Sequence, residues 1–248
     1  MAAEPDRLGP DAYWEERRKL AILGRIAGSL GYIGAFGHIS VRVPDTDIVL
    51  ITPGAGVEKS TLRADQMYVY DINGTKLYHP PDLKAFEPLE YPIHTRIHRD
   101  KPEMLCVAHL HARNSTLLGI ANKPIVPVIN QAFYLHEGVP TWDNPSLVVK
   151  DEQAAELSAV LGDKVACQMR GHGSVVVGET PEIGLMNCYS LEENAGYQIA
   201  AEALGGPTLF PQPVVEATAR YRSAMKHDIA RVLWAYYEPR VSATGPIF

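Results

Sequence analysis

The sequence predicts a single α/β domain on a mixed, mostly antiparallel sheet. Three observations lead there. Strand-like and helix-like segments interleave along the 248 residues, the pattern of a sheet covered by helices. Several neighbouring strands are joined by turns too short for a helical crossover, so they must pair antiparallel. No linker is long enough to demand a second domain, so residues 1–248 read as one unit, with a helical extension from about 205.

A first helix is expected from about Asp11 to Leu30, where Leu20, Leu23, Ile26, Ala27 and Leu30 recur at helical spacing. Gly31 and Gly34 then end it. HISVRV (38–43) and IVLIT (48–52), separated by the turn sequence PDTD, read as a hairpin. MYVYDINGTKLY (67–78) supplies two more strands around Asn73-Gly74, a tight-turn dipeptide. After the Pro-rich loop HPPDLKAFEP, residues 90–99 read as a short helix and 103–111 as a strand. A helix follows near 113–121, then a Pro- and Gly-punctuated stretch to about 146. Residues 151–161 form a helix with Asp151 as its expected N-cap. KVACQM (164–169) and SVVVG (174–178) flank Arg170-Gly171-His172-Gly173 as a further hairpin. Thr180-Pro181 starts a long helix to about Leu204, because a capping threonine precedes a proline at the first helical position. GGPTLFPQP links it to a last helix over about 214–236.

Composition excludes several function classes. The chain is 46% hydrophobic and 21% charged, ordinary for a globular protein with a large core. A net charge of −6, with no Lys/Arg-rich block, argues against a nucleic-acid surface. No apolar run approaches 18 residues, so no membrane span is expected. The N-terminus lacks an apolar signal region and is too acidic for a transit peptide. Cys106, Cys167 and Cys188 show no CxxC spacing and read as reduced buried thiols of a cytoplasmic protein.

The chemistry centres on AHLHA (108–112). On a strand, residues i and i+2 share a face less than about 7 Å apart, so His109 and His111 suit one metal ion. His172, in a glycine-flanked turn, would complete a His₃ set that leaves positions for substrate or water. Imidazole ligands suit Zn²⁺, Mn²⁺, Fe²⁺ or Co²⁺, one ion per subunit. Glu90 opens a short helix, where a carboxylate either favours the helix N-terminus or acts as an acid/base group or further ligand.

With GHISVR (37–42), TPGAG (52–56), EYPIHTRIHRDKPEMLCVAHLHA (90–112) and RGHG (170–173) in order, the chain resembles the class II aldolase/adducin-head family over roughly residues 15–205. The resemblance implies a three-layer α/β/α fold and a divalent metal, Mn²⁺ or Zn²⁺ foremost. It also implies a homotetramer with sites near subunit interfaces. It makes His109, His111 and His172 the metal ligands, Glu90 the acid/base carboxylate and His94 a structural residue.

Two departures bear on substrate. Sugar-phosphate members of that family typically carry Gly-Asn where this chain has Gly37-His38, and two serines where it has Pro88-Leu89. Phosphate oxygens need several donors, and proline and leucine side chains offer none. The sequence therefore resembles the branch that decarboxylates hydroxylated aromatic dicarboxylates, such as dihydroxyphthalate and hydroxymethylpyridine-dicarboxylate. The expected activity is a metal-dependent carbon–carbon lyase acting on a small carboxylate, with no nucleic-acid or membrane partner. Its rivals are a retro-aldolase or epimerase on a non-phosphorylated hydroxy-keto acid, an iron-dependent oxygenase of an aromatic keto acid, and a non-catalytic adducin-like module. His38 and Arg42, on one strand face, are the expected substrate-binding residues, His38 anchoring a second anionic group. Tyr134 is the expected proton donor or substrate stacker. His79 and Lys84 read as solvated loop residues, Trp142 as core or interface, and TPGAG as a turn.

Overall fold

The computed structural model describes residues 8–247. Its centre is an eight-stranded sheet of β1 (His38–Arg42), β2 (Ile48–Ile51), β3 (Tyr68–Asp71), β4 (Lys76–Tyr78), β5 (Cys106–Leu110), β6 (Thr141–Trp142), β7 (Ala166–Met169) and β8 (Gly173–Gly178). The order is β4-β3-β2-β1-β5-β8-β7-β6. Every pairing is antiparallel except that of β6 with β7. The mixed, mostly antiparallel α/β expectation holds.

Side-chain alternation divides the sheet between two helical layers. Ile39, Val41, Cys106, Ala108, Leu110 and Val176 pack with Leu20 to Ala27 of α1 (Trp14–Ser29) and with Leu185, Cys188 and Leu191 of α5 (Pro181–Ala203). The opposite residues, Val107, Cys167, Met169, Val175 and Val177, pack on Ile93 and Ile97 of α2 (Tyr91–Asp100) and on Leu157 and Leu161 of α4 (Asp151–Leu161). Between α2 and α4 in the chain lies α3 (Arg113–Ile120). His38 and Ser40 alternate with Ile39 and Val41, and His109 with Ala108, so their side chains lie on the α2 side of the sheet.

Two buried arginines stitch loops to α1. Arg25 Nε donates to the Leu62 carbonyl (2.6 Å), while its terminal nitrogens reach the carbonyls of Val241 (3.0 Å), Gly245 (2.9 Å) and Pro246 (2.5 Å). Arg17 likewise reaches Leu8 (2.9 Å), Ala12 (2.8 Å) and Met67 (3.2 Å). Burial lowers the pKa of both.

Three sequence expectations need correction. The last helix is two: α6 (Gln212–Ala224) and α7 (Lys226–Ser242). No glycine or proline marks the break at Met225. The halves pack on different partners, α6 on Phe133 through Val215 and Ala219, and Ala230 of α7 on Ile183 and Met186 of α5. Asp151 is not an N-cap but a first-turn residue, its carboxylate taken by Arg96 (3.0 Å) and Arg99 (2.7 Å) of α2. The stretch expected to be irregular contains a 3₁₀ turn, Asn130–Leu135, and the parallel edge strand β6. No helix among the described residues is long and apolar enough to cross a membrane.

Candidate metal centre and its cleft

Strand register puts the first elements of the site side by side. His38 on β1 pairs with His109 on β5, and His109 in turn with Val175 on β8. His111 lies one residue beyond the end of β5, where its N–H leaves the ladder and donates to the Tyr32 carbonyl at 3.0 Å. The turn between β7 and β8 carries His172. Gly171 there has φ +73°, a left-handed conformation that costs glycine little. Gly173 passes so close to the Leu110 carbonyl that a Cβ would collide with it. Gly173→Ala is accordingly expected to destabilise the protein by about 2 kcal/mol, the cost of overpacking. Thermal unfolding measures that, and bound metal should fall in parallel as β8 is pushed from β5.

Glu90 sits at the N-terminal end of α2, its Oε1 accepting the Val148 N–H at 2.8 Å. Its Oε2 lies 3.3 Å from His109 Nε2 and 3.4 Å from His172 Nε2. His109 Nε2 and His111 Nε2 are 3.0 Å apart. Each of the four residues thus turns one ligand-capable atom inward, all within 4.8 Å of one another.

The donor set fits a divalent cation. Two imidazole nitrogens at that separation can share only one proton, and His172 Nε2 is buried without a hydrogen-bond partner. The spacings resemble the roughly 3.4 Å edge of a tetrahedron of ligands about 2.1 Å from an ion. Protonation suits it as well. Burial pushes His111 down to about 4, with His109 and His172 adding to the effect, so its ring is neutral at pH 7. Burial alone would push the Glu90 carboxyl up. The contacts with His109 and His172 and the Val148 N–H outweigh it and hold the carboxyl well below the usual range. The neutral His111 imidazole and the Glu90 carboxylate are the forms that bind metal.

Above the cluster opens a cleft of about 320 Å³ lined by Phe36, Gly37, His38, Gly54, Ala55, Phe86, Glu87, Leu89, Glu90, His111 and Leu147. No lysine or arginine lines it. Phe36 (66% exposed), Phe86 (72%) and Leu89 (63%) form an apolar rim. The Pro-rich loop before α2 supplies part of this wall, through Phe86, Glu87 and Leu89 rather than His79 or Lys84. TPGAG is a turn whose Gly54 and Ala55 line the cleft, braced from behind by Lys59 on the Pro53 and Gly54 carbonyls.

The other expected site residues fall elsewhere. Arg42 shares the face of His38, but its guanidinium reaches the Thr46 carbonyl (2.8 Å), the His98 carbonyl (3.1 Å) and Asp47 (3.4 Å). It ties the β1–β2 hairpin to the end of α2 and does not line the cleft. Within one chain Tyr134 is not in the cleft either. Its hydroxyl donates to the Arg222 carbonyl at 3.3 Å, and the Arg222 guanidinium lies 5.7 Å from its ring centre. Trp142 is core, as expected.

Sequence reasoning passed over a buried hydrogen-bonded chain behind His38. His38 Nδ1 lies 2.6 Å from His94 Nε2, and His94 Nδ1 lies 2.7 Å from Ser40 Oγ. Ser40 Oγ is 2.8 Å from His98 Nε2, and His98 Nδ1 is 2.8 Å from the Met104 carbonyl. A signal existed: His94 and His98 are four apart on one helix face, and Ser40 is two from His38 on one strand face.

The family model described as "Class II Aldolase and Adducin N-terminal domain" matches residues 18–199. A 3,4-dihydroxyphthalate decarboxylase from Arthrobacter keyseri is 24% identical over 241 residues, covering 89% of this chain and 95% of its own length. Another, from Rhodococcus jostii, is 29% identical over 223 residues, covering 84% of this chain and 91% of its own. Among solved structures, an aldolase II superfamily protein from Pseudomonas syringae superposes with a TM-score of 0.84 at 24% identity. That match covers 97% of this chain and 96% of the other.

Proposed function

The chain belongs to the class II aldolase and adducin N-terminal domain family, and on that premise we propose that it is a divalent-metal-dependent lyase that decarboxylates a hydroxylated aromatic or heteroaromatic carboxylic acid. The observation carrying this reading is the pairing of the Glu90–His109–His111–His172 cluster with an apolar cleft whose lining has no lysine or arginine. A sugar phosphate would find no lysine or arginine on these walls. A flat ring between Phe36, Phe86 and Leu147 would find apolar surface on each side. The two relatives described above are decarboxylases of such an acid, which supports the same substrate class.

A divalent ion, Mn²⁺ or Zn²⁺ foremost, would supply Lewis acidity at a substrate oxygen next to the bond that breaks. The chain's own groups do the rest. Phe36, Phe86 and Leu147 orient the ring and exclude water. The bond from the ring to the carboxylate breaks, its electron pair stays on the ring carbon, and CO₂ leaves. Held as a carboxylate, Glu90 takes the proton of a substrate hydroxyl and returns it to that carbon. The proposal includes a homotetramer in which a neighbouring copy covers the exposed apolar rim, which would also give Tyr134 a route to a second chain's cleft.

The test is CO₂ release from hydroxyphthalates, pyridine dicarboxylates and hydroxybenzoates, using protein stripped of metal and reloaded with Mn²⁺, Zn²⁺, Co²⁺ or Fe²⁺. Metal-dependent CO₂ without oxygen uptake is the expected result. Glu90→Gln should lower that rate by about 10²- to 10³-fold, in the range of a lost acid/base group, with metal still bound. Aldehyde or pyruvate from hydroxy-keto acids, with no CO₂ from the aromatic panel, would replace the decarboxylase with a retro-aldolase. Oxygen consumption with Fe²⁺ would point to an oxygenase.

A further inference from the structure

The imidazole chain behind His38 begins at a backbone carbonyl, which can only accept. His98 Nδ1 must therefore carry the proton it gives to Met104 O. His98 is fully buried and its pKa is pushed down to about 4, by burial first, so the ring is neutral and Nε2 is a lone pair. That lone pair takes the Ser40 hydroxyl proton at 2.8 Å. Ser40 has no other proton, so its oxygen accepts from His94 Nδ1. Burial also holds His94 neutral, leaving Nε2 to accept from His38 Nδ1 at 2.6 Å. The reverse assignment sets the Ser40 oxygen against the His98 lone pair at 2.8 Å with no proton between them. One carbonyl thus fixes the tautomer of three histidines and a hydroxyl.

His38 Nε2 makes no hydrogen bond among the described residues and is not sealed from solvent, and His38 lines the cleft. We propose that the chain through His94, Ser40 and His98 makes His38 a fixed hydrogen-bond acceptor at the cleft wall, selecting a ligand with a hydroxyl at that point over one with an ether or a second carboxylate there. This reverses the expectation that His38 anchors an anion. A lone pair aimed at a carboxylate repels it. The inference rests on the reading of the cleft as a site for hydroxylated aromatic acids and narrows it to one substituent. His94, Ser40 and His98 act through His38 as positioning residues.

Two measurements test it. In neutron diffraction from deuterium-exchanged crystals of the zinc-loaded protein, deuterons are expected on Nδ1 of His38, His94 and His98 and none on His38 Nε2. A deuteron on His38 Nε2 would overturn the proposal. Calorimetric titration then compares 2-hydroxybenzoates carrying hydroxyl, methoxy or carboxylate at ring positions 3, 4 and 5. At one position the hydroxyl compound should bind about tenfold more tightly than both partners, a difference of one good hydrogen bond. His38→Gln, whose amide presents either a donor or an acceptor, should shrink that preference to about twofold. Equal binding of the three substituents at every position, or a preference untouched by His38→Gln, would overturn the selectivity. Neither measurement depends on turnover, so a failure to release CO₂ counts against the lyase reading and not against the tautomer.

Discussion

His109→Ala is expected to abolish metal retention and turnover together. Its ring contacts both Glu90 and His111 and is fully buried, so no solvent-facing side chain can swing in to replace it. Losing partners that merely orient a ligand costs about 10- to 100-fold in metal affinity, and losing a ligand should cost at least that upper figure. Elemental analysis after dialysis should find less than about a tenth of the wild-type metal. CO₂ release should fall by about 10³-fold or more when the ion is a required Lewis acid. Full metal content in His109→Ala, by contrast, would place the ion elsewhere. The fold should survive, because the carbonyl and amide of His109 keep their pairing with β1 and β8.

The second large effect is on stability and lies far from the cleft. Arg25→Ala removes in one step the donors for the buried carbonyls of Leu62 and Val241 and for the partly exposed ones of Gly245 and Pro246. Each buried group left unsatisfied costs about 1–3 kcal/mol, and water can partly replace the donor at Gly245 and Pro246. A net loss of about 3 kcal/mol is expected, which for a domain of this size lowers Tm by about 10 °C. Differential scanning calorimetry on metal-loaded protein measures it. Arg25→Lys should recover only part of the loss, since one ammonium cannot reach four carbonyls from two chain segments.

The quartet that the sequence pointed to comes together because two short-range rules place it. Strand parity aligns His109 and His111, and a tight glycine turn delivers His172. Parity also put Arg42 on the face of His38, and the structure agrees. The face is long, however, and a flexible guanidinium at its far end finds nearer carbonyls in its own hairpin. Tyr134 was singled out from an irregular stretch, where no periodicity says which way a side chain points. The Pro-rich loop supplies part of the cleft wall through Phe86 and Glu87, while its His79 and Lys84, which read as solvated, do not line it. The spacing of His94 and His98 on one helix face and of His38 and Ser40 on one strand face is legible in the sequence, but the approach of α2 to β1 that joins the two pairs is a tertiary event. Strand β6 is two residues long and pairs with a strand more than twenty residues later, so no window of sequence could reveal it.

The order of the sheet has a consequence for how the protein behaves in company. Both outer strands are its shortest: β4 has three residues, one of them Lys76, and β6 has two. An open edge is a template on which another chain can add a strand, and short, charged edges remove the template. The six longer strands, including those beneath the histidines, are hydrogen-bonded on both sides. Strand addition between copies is therefore disfavoured, and fibres built through the sheet edges are not expected even at high concentration.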